Sequence, residues 1–454
     1  MDSSALLFWT STVLVVVLAI LTRHWRADVG AGLVFAYVAT FAVLHWLAPA
    51  LYLLPWYDTP TRDATVLGLR ESAIAIICFG IGSEIVIRMR RTEMRSLLEQ
   101  PAQVVDDRLI NLFLLAGGFF YVVIFPIASR LPSVTAIAAT GSALIVAGIG
   151  LKCWNAWTSG RYGHLWAWLG MTVAMPVVTV IVQGFLGYGF GALLTVLAFC
   201  GSFYRPRWRV LIAGALLAYL GLSVYVTYMR DRNDIRDVVW SGAAFGARMD
   251  QLESTLANSE WFDPAKIEHL QRIDTRLNQD FMLGAAVAYL DSGAVEFGHG
   301  ETLVQAVAAI IPRALWPDKP VVAGSGELVS TYTGIRFVEG TSVGIGQIME
   351  AYVNYGRGGV IVVFLFIGAI LTWADISAKA RLLVGDGASF VTWYLGGLGM
   401  LQLGGAFSEV TSTAVASILV ALTIGYFSRR IFPDRRNTGR LQAVPADLPE
   451  SISR

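Results

Sequence analysis

Apolar runs of about 20 residues recur along most of the chain, separated by short polar turns and by one long polar interval. They fall at 5–22, 30–54, 66–87, 109–129, 133–151, 164–185, 188–204, 208–228, 357–375, 388–407 and 411–428. A helix of about 20 apolar residues crosses a hydrocarbon core about 30 Å thick. The pattern therefore predicts an all-α, polytopic integral membrane protein with about eleven transmembrane helices. The runs are continuously apolar and do not alternate, which argues against a β-barrel. Four parts follow: helices 1 to 8 over 1–229, a large loop with amphipathic helices over 230–344, helices 9 to 11 over 345–430, and a polar tail over 431–454. The first run, Ala5 to Leu21, lacks a basic start and a small-residue cleavage site, and is read as a retained helix.

The long interval has a pattern of its own. Asp231 to Glu260 reads as helical. Pro264 to Tyr289 is amphipathic, with Ile267, Leu270, Ile273, Leu277, Phe281 and Leu283 near helical spacing. Gly293 to Gly300 is a turn region. Thr302 to Leu315 reads as an apolar helix able to meet the membrane surface. Val321 to Gly340, rich in Gly and Thr, is expected to be irregular, and Ser342 to Tyr355 to be helical and lead into the ninth run. A connection this long in a compact helical protein is usually functional or disordered. Its aromatics and amphipathic segments favour a functional region.

Composition supports the membrane reading: 55% hydrophobic residues, 15% charged residues and a mean hydropathy of +0.59, against about 25% charged residues in soluble domains. The net charge of +1 says little, but its distribution is informative. Arg23 and Arg26, then Arg88, Arg90, Arg91 and Arg95, then Lys152 and Arg161, then Arg205, Arg207 and Arg209, then Lys379 and Arg381, and finally the basic tail follow every odd run. The even gaps are short and nearly uncharged. The positive-inside rule then places the N-terminus outside, the C-terminus in the cytoplasm and the long loop on the outer face. That loop holds more acidic than basic residues. Cys78, Cys153 and Cys200 sit in or at the ends of apolar runs, as small buried hydrophobes do.

Ionisable residues within spans are costly and usually functional. Arg70, Glu71, Arg130, Gln183, Arg230, Arg232, Glu350 and Glu409 all map to the outer leaflet, from runs distant in sequence. Brought together they would line an outward cavity. Fixed guanidiniums match a pyrophosphate, because the planar fork binds phosphate oxygens in pairs and stays charged. A nearby carboxylate can take a proton from an attacking hydroxyl. The competing reading is local pairing of Arg70 with Glu71, an anchoring Arg130 and a plain loop Glu409. No Gly-rich phosphate loop, no Asp-x-Asp pair in the first outer loop and no His pair at metal spacing is present, so no metal or cofactor is expected, and nothing suggests nucleic acid.

Two dense motifs carry a family likeness: Ile311-Pro312-Arg313-Ala314-Leu315-Trp316-Pro317-Asp318-Lys319-Pro320, and Gly346 to Gly356 with Glu350, Tyr352, Asn354 and Gly356. With the run count and the late large loop, they resemble the oligosaccharide repeat-unit polymerases of bacterial surface polysaccharides, the Wzy-type O-antigen and exopolysaccharide polymerases. Arg313 and Gly324 match the family's pattern of Arg, ten residues, then Gly; Arg230 to Gly242 does not. The resemblance implies a GT-C-like, metal-independent glycosyltransferase of the bacterial inner membrane with its large loop in the periplasm. It would move a growing glycan from undecaprenyl pyrophosphate onto a lipid-linked repeat unit. Membrane lipids, a chain-length regulator and a flippase are the implied partners.

On this reading Arg313 holds the pyrophosphate and Glu350 is the general base, one turn from Asn354 on the same helix face. Lys319, Arg230, Arg232, Arg276 and the deeper Arg70 add phosphate or sugar contacts, while Trp316, Tyr352 and Tyr355 stack on sugar rings. Arg313 has a competing role as a helix-terminal residue, Lys319 as a solvated turn residue and Glu350 as a helix-start carboxylate. Interfacial aromatics are common without any sugar role. Alternatives to the polymerase are an O-antigen-ligase-like enzyme, a lipid-linked oligosaccharide transporter or flippase, and an envelope scaffold.

Overall fold

The computed structural model describes residues 3–124, 135–204, 208–311, 316, 325–337 and 343–431. Every regular element among the described residues is helical. In chain order these are α1 (Ser3–Ala27), α2 (Leu33–His45), α3 (Leu47–Leu51), α4 (Arg62–Leu98), α5 (Asp107–Phe119, continued by a π turn, Phe120–Ile124), α6 (Thr135–Thr158), α7 (Tyr162–Val173), α8 (Met175–Gln183), α9 (Leu186–Gly201) and α10 (Trp208–Trp240). The loop contributes α11 (Phe245–Ala257), α12 (Ile267–Leu277), α13 (Gln279–Asp291), α14 (Glu301–Ala309) and α15 (Ser325–Thr333). Last come α16 (Gln347–Leu383), α17 (Gly387–Gly399) and α18 (Phe407–Ile431).

Seven helical stretches are long and apolar enough to cross a membrane: Ser3–Ala27, Arg62–Leu98, Asp107–Ile124, Tyr162–Gln183, Ile212–Trp240, Gln347–Leu383 and Phe407–Ser428. The runs at 30–54 and 188–204 fall on the shorter apolar helices α2 and α9. The run at 30–54 breaks at Trp46, where the backbone leaves helical geometry before Pro49. In the loop the helix expected over Asp231 to Glu260 is split between α10 and α11, the segment Pro264 to Tyr289 is split at Asn278, and the one expected from Thr302 ends at Ala309, while residues 312–315 lie outside the described residues; within Val321 to Gly340, Ser325–Thr333 forms a helix in place of irregular chain. Leu328, Val329 and Tyr332 are buried there, and packing has overridden the weak helix preference of Ser, Thr and Gly.

The helix α4 is the spine. It packs along both α16 and α13 with backbones in close approach, which only small residues permit. A methyl group added at Gly82 would meet the Leu365 carbonyl, and one at Gly368 the Phe79 carbonyl. On the α13 side, Gly68 faces the Asp280 carbonyl and Gly284 faces the Ala64 carbonyl. At that crossing Asp280 is fully buried and bonds His45 Nδ1 at 2.8 Å and the Ser72 hydroxyl at 2.5 Å. Burial pushes the Asp280 carboxyl above the usual carboxylate range. The loop helix α13 is thus fixed to α2 and α4 by both shape and polar bonds.

The opposite end of the bundle is held differently. The carboxylate of Asp375, on α16, accepts from the backbone N–H groups of Ala31 at 2.7 Å, Leu33 at 2.9 Å and Val34 at 3.3 Å. It therefore caps α2, which has no side-chain cap of its own. An anion at a helix N-terminus satisfies orphan donors and meets the positive end of the dipole.

Candidate functional site

Along α10, Tyr225, Tyr228, Arg232 and Arg236 recur at spacings of three, four and four, which puts them on one helix face. Arg236 is 9% exposed. Its guanidinium lies 4.2 Å from the centre of the Phe185 ring and 5.2 Å from that of Trp240, and its Nε has no hydrogen-bond partner. Room for it comes from Gly184, the left-handed residue ending α8 (φ 74°), where a Cβ would meet the Arg236 Cγ at 3.3 Å. The Tyr228 hydroxyl donates to the Gly184 carbonyl at 2.8 Å, leaving its lone pairs to Arg232 and Arg236, both of which interact with it. From the last turn of α12, Arg276 acts electrostatically on both of these guanidiniums.

Among the described residues, none of Arg232, Arg236 and Arg276 has a carboxylate at ion-pair distance. Like charges repel one another; water screens the exposed Arg276 and in part Arg232, so the buried Arg236 is the one that gains most from an anion. Tyr188, at the start of α9, lies within electrostatic range of both Arg236 and Glu409. Glu409 is exposed, in the first turn of α18, and accepts from the Ser325 hydroxyl at 3.2 Å. Glu409 also acts on Glu350. Arg236 and the Glu409 carboxylate thus both lie near Tyr188.

The other expected site residues fall into three groups. Arg232 and Arg276 join the cluster, but Arg230 does not. Its guanidinium is held by Asp231 at 2.7 Å, by Glu260 at 2.6 Å and by the Asn258 carbonyl at 2.8 Å. Arg70 forms a separate group, donating to Glu71 at 2.9 Å. Glu71 is fully buried and also receives a two-point contact from Arg357, at 2.7 and 3.1 Å. Tyr352 lies within electrostatic range of Arg70, Arg357 and Glu71, and its ring tilts against Phe297.

Glu350 and Asn354 form a buried clasp. Glu350 is 1% exposed and accepts the Phe407 N–H at 2.6 Å, at the start of α18. The Asn354 side chain accepts from the Gly300 N–H at 2.9 Å and donates to the Thr302 hydroxyl and the Glu350 carbonyl, both at 2.7 Å. These bonds tie α14, α16 and α18 together. Trp316 is partly exposed at 39%. Arg313 and Lys319 lie outside the described residues.

Two residues of these groups were not among the expected ones, Arg236 and Arg357. Arg236 was marked by the stripe on α10. Arg357 was marked only by Glu71, a carboxylate within a span that needed a partner. Its position depends on Gly356 (φ 57°), where α16 breaks and restarts.

One contact in this region gives a pH dependence. Hydrogen bonds from His269, at 2.8 Å, and from Arg230 hold the Glu260 carboxyl down at about 2. Because this folded value lies below the ordinary Glu value of about 4.3, its stabilisation is present above that value and is lost as pH falls toward 2. Hydrogen-exchange protection at Phe262 and Asp263, corrected for intrinsic rates, is expected to fall over that window. In Glu260→Gln it is expected to be low already at neutral pH.

Among the described residues no group of three His, Cys, Asp or Glu side chains could hold a metal ion. No curated protein and no solved structure matches the chain. Residues 92–422, which include α10, the guanidinium cluster and α16, match the model of one family, and the chain belongs to it: the family described as "Domain of unknown function (DUF8712)".

Proposed function

We propose that this protein is a membrane glycosyltransferase that uses polyprenyl-pyrophosphate-linked oligosaccharides, and that it polymerises repeat units on the outer face of a bacterial inner membrane. The observation that carries the reading is the group of three guanidiniums, Arg232 and Arg236 beside Tyr228 and Arg276 acting on both, with no carboxylate at ion-pair distance among the described residues. Guanidiniums fixed by packing suit a pyrophosphate leaving group. Arg313 and Lys319 of the Pro-rich motif belong to the same loop in sequence and are proposed to add to this charge. The helices α2, α6, α9 and α17 are proposed to complete eleven spans with the seven long apolar stretches, in a GT-C-like arrangement.

The chemistry is a displacement at the anomeric carbon of the donor glycan. A hydroxyl oxygen of the acceptor repeat unit forms the new C–O bond while the bond from the anomeric carbon to the pyrophosphate oxygen breaks. The electron pair leaves with the lipid pyrophosphate, whose charge the guanidiniums stabilise. The acceptor proton passes to a carboxylate. Glu409 is better placed for this than Glu350, since it is exposed and Glu350 is committed to the Phe407 N–H. Arg70 and Arg357 on Glu71 supply a second, partly neutralised cationic point near Tyr352.

The test gives purified protein in lipid undecaprenyl-pyrophosphate-linked repeat units and resolves the products by length. A ladder is expected from wild type, and none from Arg232→Ala combined with Arg276→Ala. Glu409→Gln should lose the ladder and Glu350→Gln should keep it. Transfer only to a lipid-A-core acceptor would support the ligase reading. Movement of the lipid across the bilayer without glycan growth would overturn the transferase reading.

A further inference from the structure

A groove of about 530 Å³ runs between α1 and α4, far along α4 from Arg70 and Glu71. Its walls are apolar, with Val16 and Ile20 on α1 and Ile77, Gly80 and Ile81 on α4. The absence of a side chain at Gly80 shapes the floor, where a Cβ would meet only the end of the Ile20 side chain, at 3.2 Å. One end is polar and charged. Arg23 makes a two-point contact with Glu84 at 2.7 and 3.1 Å, and Arg88 Nε donates to the same carboxylate at 2.7 Å. Two guanidiniums on one carboxylate leave a net charge of about +1 there.

His24 also lines the groove, is 3% exposed, bonds the Ser83 hydroxyl through Nε2 at 2.7 Å and leaves Nδ1 without a hydrogen-bond partner. A buried ring nitrogen without a partner is uncommon and calls for an occupant nearby. The apolar walls lie in two helices that can cross a membrane, so hydrocarbon is what meets them. The cationic end sits where a lipid headgroup would lie, at the arginine-rich end of both helices.

We propose that this groove binds one anionic phospholipid, with an acyl chain along Ile20, Gly80 and Ile81 and its phosphodiester on Arg23 and Arg88. The guanidinium of Arg88 is the main selector. It is exposed, and only its Nε is engaged by Glu84, so its terminal amines are turned to the headgroup. The site does not depend on the glycosyltransferase reading.

The experiment uses the full-length protein, delipidated in detergent and then offered phosphatidylglycerol or phosphatidylcholine, with bound lipid counted by native mass spectrometry. Both lipids carry the phosphodiester, but the choline cation of phosphatidylcholine is repelled by the net positive end of the groove, so wild type is expected to retain phosphatidylglycerol about tenfold better. Arg88→Ala keeps the Arg23–Glu84 pair but brings the local charge to zero, and should bring the two lipids to within about twofold. Ile81→Trp changes a half-exposed side chain (50%), so the fold is kept while the groove is filled, and both lipids should be lost. Equal retention of the two lipids by wild type, or an undiminished phosphatidylglycerol count in Ile81→Trp, overturns the proposal.

Discussion

Gly284→Leu is expected to abolish the docking of α13 on α4 and to lower the stability of the protein in detergent by about 3 kcal/mol or more, the upper part of the range for overpacking. The obstacle is the backbone carbonyl of Ala64 on the facing helix. A side-chain neighbour could rotate away, but a carbonyl within a helix can only move with the helix. Gly68 faces the Asp280 carbonyl from the other side of the same crossing, so the two helices must separate along their length. Separation also pulls the buried Asp280 carboxyl from His45 and Ser72, which keep only their mutual contact at 3.1 Å. Intrinsic preference works in the opposite direction, because Leu in a helix is better than Gly by less than about 1 kcal/mol. A net destabilisation therefore reports the crossing itself. Gly246→Leu on α11 is the control: nothing lies within 4 Å of its added Cβ, and its change should stay within about 0.5 kcal/mol. Thermal unfolding of the two variants beside wild type distinguishes them. If Gly284→Leu melts with wild type, α13 does not pack as described.

That crossing shows where sequence reasoning stops. Apolar periodicity was enough to find the long helices, because burial in lipid makes every face apolar and the signal survives without any knowledge of neighbours. It could not rank α4 above the other spans, since Gly68, Gly82 and Gly284 resemble the chain's many other glycines until a facing carbonyl is known. The 388–407 run was expected to be a full span. Its helix α17 ends at Gly399, and the glycines around it give no clear boundary signal. In the loop, Leu328, Val329 and Tyr332 made α15 where composition favoured irregular chain.

The site was legible in part for similar reasons. Charge type and approximate depth could be read, so Arg232 and Arg276 were singled out. Direction could not. Arg230 and Arg232 are two residues apart and point to different partners, one to Glu260 and one to Tyr228. Glu350 was read as an open carboxylate near the cavity, but its helix buries that face against α18. His45 and Asp280 are separated by 235 residues and meet only through the tertiary fold. Arg357 was hidden in a run of glycines whose break in α16 gives it its aim at Glu71.

If the proposed glycosyltransferase activity is right, Arg236→Ala is expected to reduce glycan transfer about 100-fold or more, comparable with removal of one preorganised donor to a developing anion, while leaving stability within about 1 kcal/mol of wild type. The two halves of this expectation come from one feature. A guanidinium with only 9% of its surface exposed, an unpartnered Nε and, among the described residues, no carboxylate at ion-pair distance is costly to the empty protein. Its stacking on Phe185 and Trp240 recovers part of that cost. Truncation removes both terms, and they largely cancel. An Arg kept for structure would behave in the opposite way, with its loss lowering the melting temperature and activity falling only as folded protein falls. Arg236→Lys sharpens the distinction. Lysine keeps the charge but not the planar fork or the ring stacking, so most of the loss should remain. Added pyrophosphate should raise the melting temperature of wild type and have little effect on Arg236→Ala, because a ligand stabilises only the state that binds it. A variant that melts well below wild type yet keeps its activity per folded molecule would place Arg236 in the packing of α8 against α10 and remove it from the anion site.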